Sequence, residues 1–402
     1  MIDFTWTEEH KAVFKLVQDF GKKEIIPFIR ERDRKEQFDP SILKKLGEAD
    51  ILGICIPSQY GGAGLDYISL GIACQELEYA DTSLRVILSV HIGLASLAYL
   101  TWGNEAQKQK YLVPQAKGEK IGSFGLTEPN AGSDVVGIQA TADKKEGFYV
   151  LNGEKMWISL ADVADNFLCF AWTDRKKRDK RDHTGLSAFI VERTFKGVKT
   201  GTIHGKLGVR AGNTGYISLS DVEVPQENML GQESEGFKIA MFCLDQGRYT
   251  VAAGATGLTK ACLDASVNYS KTRKTFNTFI GEHQLVKEMI AFMVSGFEAS
   301  QLLWLRAGWL KNQGLPNSKE TALAKWFACD AAEKAAADAV QVFGSYGFSD
   351  EYPVERFYRN SKGSSIYEGT REIQKLLQAD YALGYKVDKG TRCPLPKYQP
   401  GL

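Results

Sequence analysis

Four short segments combine residue types that can do chemistry at a cofactor or a substrate. The first is Phe124-Gly-Leu-Thr-Glu-Pro-Asn-Ala-Gly-Ser-Asp134. A strand ending in small and hydroxyl residues exposes backbone amides and side-chain donors, which can hydrogen-bond a flat, polar-rimmed ring or a carbonyl. The same segment serves equally well as a loop capping a sheet. The second is Met156-Trp-Ile-Ser159, where strand alternation puts Trp157 and Ser159 on one side. An apolar plane beside a hydroxyl suits stacking on a cofactor ring, although a core tryptophan is the plainer reading. The third is Arg273-Lys-Thr-Phe276, just past a helix end, where arginine can grip a pyrophosphate in bidentate fashion or simply lie on the surface. The fourth, Ile366-Tyr-Glu-Gly-Thr370, sets Glu368 in a glycine-containing turn before a helix that Thr370 can cap. Desolvation by apolar and aromatic neighbours is the general route by which a loop carboxylate becomes a base. The alternative is a charge that favours the helix N-terminus.

The chain that must position these segments has 402 residues, enough for two or three domains and a large core without disulfides or metals. A formal net charge of +1 gives no general pull toward nucleic acid or membrane, and the basic run 175–181 reads as a solvated hairpin tip. The cysteines Cys55, Cys74, Cys169, Cys243, Cys262, Cys329 and Cys393 form no CxxC pair, which fits reduced thiols in a cytoplasmic protein. The scattered histidines offer no zinc spacing. No signal peptide is indicated, and the apolar stretch 84–100, containing Arg85, Ser89 and His91, reads as a buried helix too short and too polar to span a bilayer.

Helical spacing runs through the first third. Thr7 caps a helix that Pro27 limits, and further helices cover 40–50, 67–80, 84–100 and 105–112. The glycine-rich segment 60–65 lacks a strand–loop–helix setting and reads as a turn. From 121 to about 235 the pattern is β-type. Asn152-Gly153 between 148–151 and 155–158 predicts a type I′ hairpin, with further strands at 166–172, 186–192 and 215–224 before Pro225 ends the sheet. Helices then cover 236–272, 283–312 and 318–343, the third capped by Asn317 with Glu320, and a last one starts near Thr370. The layout is α+β: an N-terminal helical domain at 1–120, a central β domain at 121–235, a C-terminal helical bundle at 236–388 and an extended tail at 389–402.

From about residue 4 to 385, the order and spacing of FGLTEPNAGSD, the Asn-Gly segment with MWIS, RKTF, QVFGSYGF and YEGT resemble the acyl-CoA dehydrogenases. The resemblance implies that family's fold, with a C-terminal four-helix bundle, in a homotetramer holding one FAD per subunit. By motif position, Phe124, Leu126, Thr127, Trp157 and Ser159 would surround the isoalloxazine, and Thr370 would lie near the flavin diphosphate. Arg273 and Phe276, with Gln341, Gly344 and Ser345, would contact the FAD of a neighbouring subunit. Ser133, Asp245 and Arg248 would hold the CoA part. Glu368 would take the α-proton of the acyl-CoA while the β-hydride leaves for flavin, with the thioester carbonyl hydrogen-bonded as the enolate develops. The product would be a trans-2-enoyl-CoA, and electrons would pass to an electron-transferring flavoprotein. Two positions depart from the common pattern. Asn277 stands where many relatives have glycine, and Ser159 where many have threonine, keeping the hydroxyl.

Arg85, in Asp81-Thr-Ser-Leu-Arg85-Val, opens the apolar helix and needs an anion if buried. An internal ion pair with Glu76 or Glu78 would satisfy it. The segment is also similar to that of glutaryl-CoA dehydrogenases, whose arginine clamps a carboxylate at the far end of the acyl chain. That likeness implies a dicarboxylic monothioester, of the glutaryl-CoA or benzylsuccinyl-CoA kind. The alternatives are a short- or branched-chain monocarboxylic acyl-CoA dehydrogenase and a redox-silent binding or assembly protein on the same fold. An acyl-CoA oxidase is disfavoured because such chains are usually much longer.

Overall fold

The computed structural model describes residues 5–388, so the tail at 389–402 lies outside the described residues. Thr7 accepts the His10 N–H and caps α1, Glu8–Phe20. Pro27 does not end this helical path, which continues through a π-helical turn, Gly21–Ile25, into α2, Ile26–Arg34. Pro27 sits in the first turn of α2, directly after the π-helical turn, at a position where a proline is tolerated. Helices α3, Ser41–Glu48, and α4, Tyr67–Ala80, follow. Asp66 accepts the Ser69 N–H at 2.7 Å to cap α4, and also holds His10 of α1 at 3.2 Å.

Next come α5, Thr82–Leu88, a π-helical stretch, Ser89–Ser96, and α6, Leu97–Trp102, in one continuous path. At 21 residues, Thr82–Trp102 is long and apolar enough to cross a membrane, contrary to the expectation of a stretch too short. Nearly all of it is buried against other parts of the protein, which makes it a core helix. Two short helices, α7, Glu105–Gln107, and α8, Val113–Ala116, close the first third.

The sheet comprises β1, Gly122–Gly125, β2, Thr141–Lys144, β3, Phe148–Ser159, β4, Asn166–Trp172, and, after the short exposed helix α9, Arg175–Asp179, β5, Leu186–Glu192. It is completed by β6, Val198–Thr202, β7, Thr214–Pro225, and β8, Met229–Leu230. The strand order is β6-β7-β3-β2-β4-β5-β8, with β1 parallel to β4. The Asn-Gly hairpin is not formed. β3 pairs with β7 from Phe148↔Pro225 to Ser159↔Thr214, so the chain cannot reverse at Gly153, and Asn152-Gly153 is a bulge instead. The Asn152 amide and the Asp221 carboxylate bridge it at 3.0 Å. Nor does the sheet end at Pro225, because β8 adds to β5 beyond it.

The last part holds α10, Gly236–Ser270, a two-stranded turn of β9, Lys274–Thr275, and β10, Thr278–Phe279, then α11, Gln284–Asn312, and α12, Ser318–Phe343. Helix α13, Val354–Ser364, missed in the sequence reading, and α14, Arg371–Ala382, complete it. Thr370 caps α14 by accepting the Ile373 N–H at 3.3 Å. The Asn317 cap of α12 is absent: its amide donates to Leu315 O at 2.9 Å, and Glu320 pairs with Arg306 instead.

One buried histidine joins the helices to the sheet. His91 Nδ1 accepts the Gly122 N–H at 3.1 Å, and Nε2 faces Gln115 O at 3.1 Å. Protonation would turn the acceptor nitrogen into a donor facing a donor, and burial lowers the His91 pKa to about 4 from 6.5. The neutral ring therefore stabilises the fold fully above pH 6.5, and that contribution is lost as pH falls toward 4. We expect the urea midpoint to drop over this window. His91→Gln, which keeps a donor and an acceptor but does not titrate, should show a shallower acid slope.

Candidate active site

A cavity of about 1130 Å³ opens between the sheet and the helices. Phe124, Leu126, Thr127, Trp157 and Ser159 line one side of it. Glu368, Thr370, Asp245 and Arg248 line it from the helical part, and exposed Ser133 stands at its mouth. The structure thus brings together segments more than two hundred residues apart in the chain.

The sheet side is built on a buried cation that the sequence reading missed. Lys155 Nζ donates to Glu128 Oε1 at 2.7 Å, to Phe170 O at 2.8 Å and to Leu126 O at 3.3 Å, tying the first half of the first motif to β3 and β4. Simple alternation does not aim Trp157. A register shift between Met156 and Ile158 makes it the extra residue of a bulge, with φ of +61° and 60% exposure. Bulges re-aim side chains in this way. An apolar face from Phe124 and Leu126, hydroxyls from Thr127 and Ser159 and a free indole together fit a flat ring with a polar rim.

Glu368 has a left-handed backbone, φ +55°, followed by Gly369 at +91°. The turn sends the carboxylate inward rather than along the axis of α14. Both oxygens accept from Ser89 Oγ, at 2.8 and 2.9 Å, and Ser89 in turn meets Thr250 Oγ1 of α10 at 2.6 Å. Gly247 of α10 leaves the necessary room, since a Cβ there would lie 2.0 Å from Glu368 Oε2. Arg248 pairs with Asp245 at 2.8 Å, and its buried Nε has no hydrogen-bond partner. The sequence reading named the segment 245–248 without seeing what Gly247 does.

Arg85 is wholly buried, and its partner is Glu78, with Nε to Oε2 at 2.5 Å. One end of the guanidinium donates to Tyr367 Oη. Nη1 has no hydrogen-bond partner and lies 3.7 Å from Glu368 Oε1. Burial opposes the Arg85 charge, but Glu78, Tyr367 and Glu368 outweigh it and hold its pKa above the usual range. Burial also pushes the Glu78 carboxyl up, with Arg85 pulling the other way. Glu76 takes no part in this pair.

Arg85 is not among the residues lining the cavity, and neither are the other predicted residues. Arg273, Phe276, Gln341, Gly344 and Ser345 are exposed around a separate corner. There the turn between β9 and β10 holds Phe276 at φ +52°, 94% exposed, while the Arg273 guanidinium lies 5.8 Å from the Tyr346 ring centre.

Fold and cavity together define a flavoenzyme of the acyl-CoA dehydrogenase class. The family's N-terminal, middle and C-terminal domains match residues 7–119, 123–222 and 234–383. The chain belongs to this family of FAD-dependent oxidoreductases acting on CH–CH groups, which catalyse acyl-CoA dehydrogenation. It is 43% identical over 376 residues to the short-chain specific acyl-CoA dehydrogenase of Clostridium acetobutylicum, covering 94% of this chain and 98% of that one. It is 38% identical over 390 residues to the glutaryl-CoA dehydrogenase of Desulfococcus multivorans, covering 96% and 99%. A solved chain from work on the electron transferring flavoprotein of Acidaminococcus fermentans superposes with a TM-score of 0.93 at 41% identity, covering 95% and 100%.

The contact between α10 and the carboxylate yields a test. Gly247→Ala should roughly keep thermal stability, because alanine favours a helix over glycine by about 1 kcal/mol and only the side-chain ends of Glu368 and Leu94, the latter 2.9 Å from the added Cβ, must yield. Displacing that carboxylate should nonetheless slow anaerobic flavin bleaching by about 100-fold. An unchanged rate would show that the space left by Gly247 is incidental.

Proposed function

We propose that this enzyme oxidises a dicarboxylic acyl-CoA monothioester, of the glutaryl or benzylsuccinyl type, with Glu368 as the base for the α-proton. FAD, when bound, supplies the acceptor for the β-hydride. The polypeptide holds the reacting carbon against a carboxylate kept in one place by the Ser89 hydroxyl and by the cleft over Gly247. Close packing of Val86, Val90 and Leu94 along the cavity excludes water from the proton transfer. Enoyl-CoA formation then leaves two electrons, for which an electron-transferring flavoprotein is the proposed acceptor.

The observation that carries the dicarboxylic reading is the Nη1 of Arg85, buried, unpartnered and beside the base. A terminal carboxylate arriving there would complete its hydrogen bonding, and charge-assisted bonds of this kind are strong. A second reading, a short-chain monocarboxylic substrate, draws on a different fact: Arg85 is wholly buried and already paired with Glu78. The exposed corner at Arg273 and Phe276 supports assembly into a tetramer in which that corner meets a neighbour's cofactor. Six free, buried cysteines among the described residues support a reducing, cytoplasmic setting.

Anaerobic mixing of the yellow protein with a panel of acyl-CoAs tests the reading. Glutaryl-CoA or benzylsuccinyl-CoA should bleach the flavin faster than butyryl-CoA, and Glu368→Gln should slow bleaching by at least about 100-fold. Arg85→Gln should cost dicarboxylic substrates about 10- to 100-fold more than butyryl-CoA. Equal losses for both classes would assign Arg85 to structure and favour the monocarboxylic substrate.

A further inference from the structure

The turn that carries Glu368 raises a question of hydrogen-bond accounting. Two successive residues with positive φ, Glu368 and Gly369, direct the carbonyl groups of Tyr367 and Gly369 toward α12. Buried carbonyls need donors, and a turn has no ladder to supply them. One side chain meets both. Lys325, in the second turn of α12 and 1% exposed, donates from Nζ to Tyr367 O at 2.6 Å and to Gly369 O.

Neighbouring residues on α12 grip the same stretch of chain. Cys329 Sγ donates to Ser364 O at 3.2 Å, and Arg371 Nη1 donates to Asp330 Oδ1 at 3.1 Å. Gln374 Nε2 adds a bond to Gly369 O at 3.0 Å. Only Lys325, however, contacts the carbonyls on both sides of the base. It uses a full charge to do so, and such bonds are roughly twice as strong as neutral ones.

We infer that Lys325 is a positioning residue for the reaction: its ammonium clamps the two peptide carbonyls flanking Glu368 and so holds the carboxylate at the α-carbon of the substrate. The inference rests on the reading of Glu368 as the base. Keeping a lysine so deeply buried is costly, because burial lowers its pKa to about 8 from 10.5. A purely structural contact between α12 and the turn would be met more cheaply by a neutral amide or by apolar packing. Lys325 itself does not line the cavity. Its effect passes through the backbone of the turn.

The test uses the FAD-loaded enzyme and anaerobic single-turnover bleaching across a range of acyl-CoA concentrations, which separates the limiting rate from half-saturation. Lys325→Met keeps the approximate volume and removes the donors. Lys325→Gln keeps two N–H donors without the charge. The expected order of limiting rates is parent, then Gln, then Met. Met should lie about 100-fold below the parent. Half-saturation and FAD content should stay within about threefold, because the cavity walls are untouched. The proposal is overturned if Lys325→Met bleaches at the parent rate. It is also overturned if Met and Gln lose equally and in proportion to their fall in thermal stability, or if the loss lies in half-saturation alone. Glu368→Gln, run beside them, separates the two readings. A parental rate in Glu368→Gln sinks the base assignment itself, whereas a slow Glu368→Gln beside a fast Lys325→Met sinks only the clamp.

Discussion

A carboxylate inside a helical core must be given partners and space, and the interior around Glu368 is arranged to give it both. Ser89 supplies the hydroxyl, Arg85 the nearby positive charge, and Gly247 the missing Cβ. These come from the path through α5 and its π-helical continuation and from α10. Neither helix could shift by a turn without leaving a charged group stranded, and a stranded buried charge is far more costly than a lost surface contact. Glu78 extends the constraint to α4, since it answers Arg85 and is itself accommodated at Gly254, where a Cβ would lie 2.1 Å from its Oε2. The helical core around the cavity is thus organised by three ionisable groups as much as by its apolar packing.

Much of the layout was legible in the chain. Helix α4, helix α12 and strands β4 and β5 fall where periodicity and flanking turn residues put them, because in each case local pattern and tertiary packing agree. The Asn152-Gly153 signal misled because a hairpin turn requires its two flanks to pair with each other, and here β7 pairs with both. The Asn317 cap failed for a similar reason, its side chain being drawn back to Leu315 O. Trp157 lines the cavity, but its direction comes from a bulge that alternation cannot foresee.

At the site, residues inside a compact motif could be read and their supports could not. Glu368 stands in a recognisable turn, whereas Ser89 lies 279 residues away from it and reads as one more small residue on an apolar helix. Lys325 is 42 residues from the first carbonyl it holds and looks like an ordinary helix lysine. Arg85 was noticed because a guanidinium in an apolar run violates the pattern. Its partner Glu78 could be named as a candidate because the two sit seven residues apart.

Trp157, Phe276 and Glu368 share a backbone state that side chains other than glycine adopt reluctantly. For Glu368 this has an evolutionary edge. A glycine at that position would relax the turn, remove a carboxylate from the interior and leave the sheet side of the cavity intact. With Glu368 as the proposed base, drift toward greater stability leads away from catalysis, toward a descendant with the same architecture and no base. On that proposal, two chains of this shape can be nearly superimposable while one turns over and the other is inert.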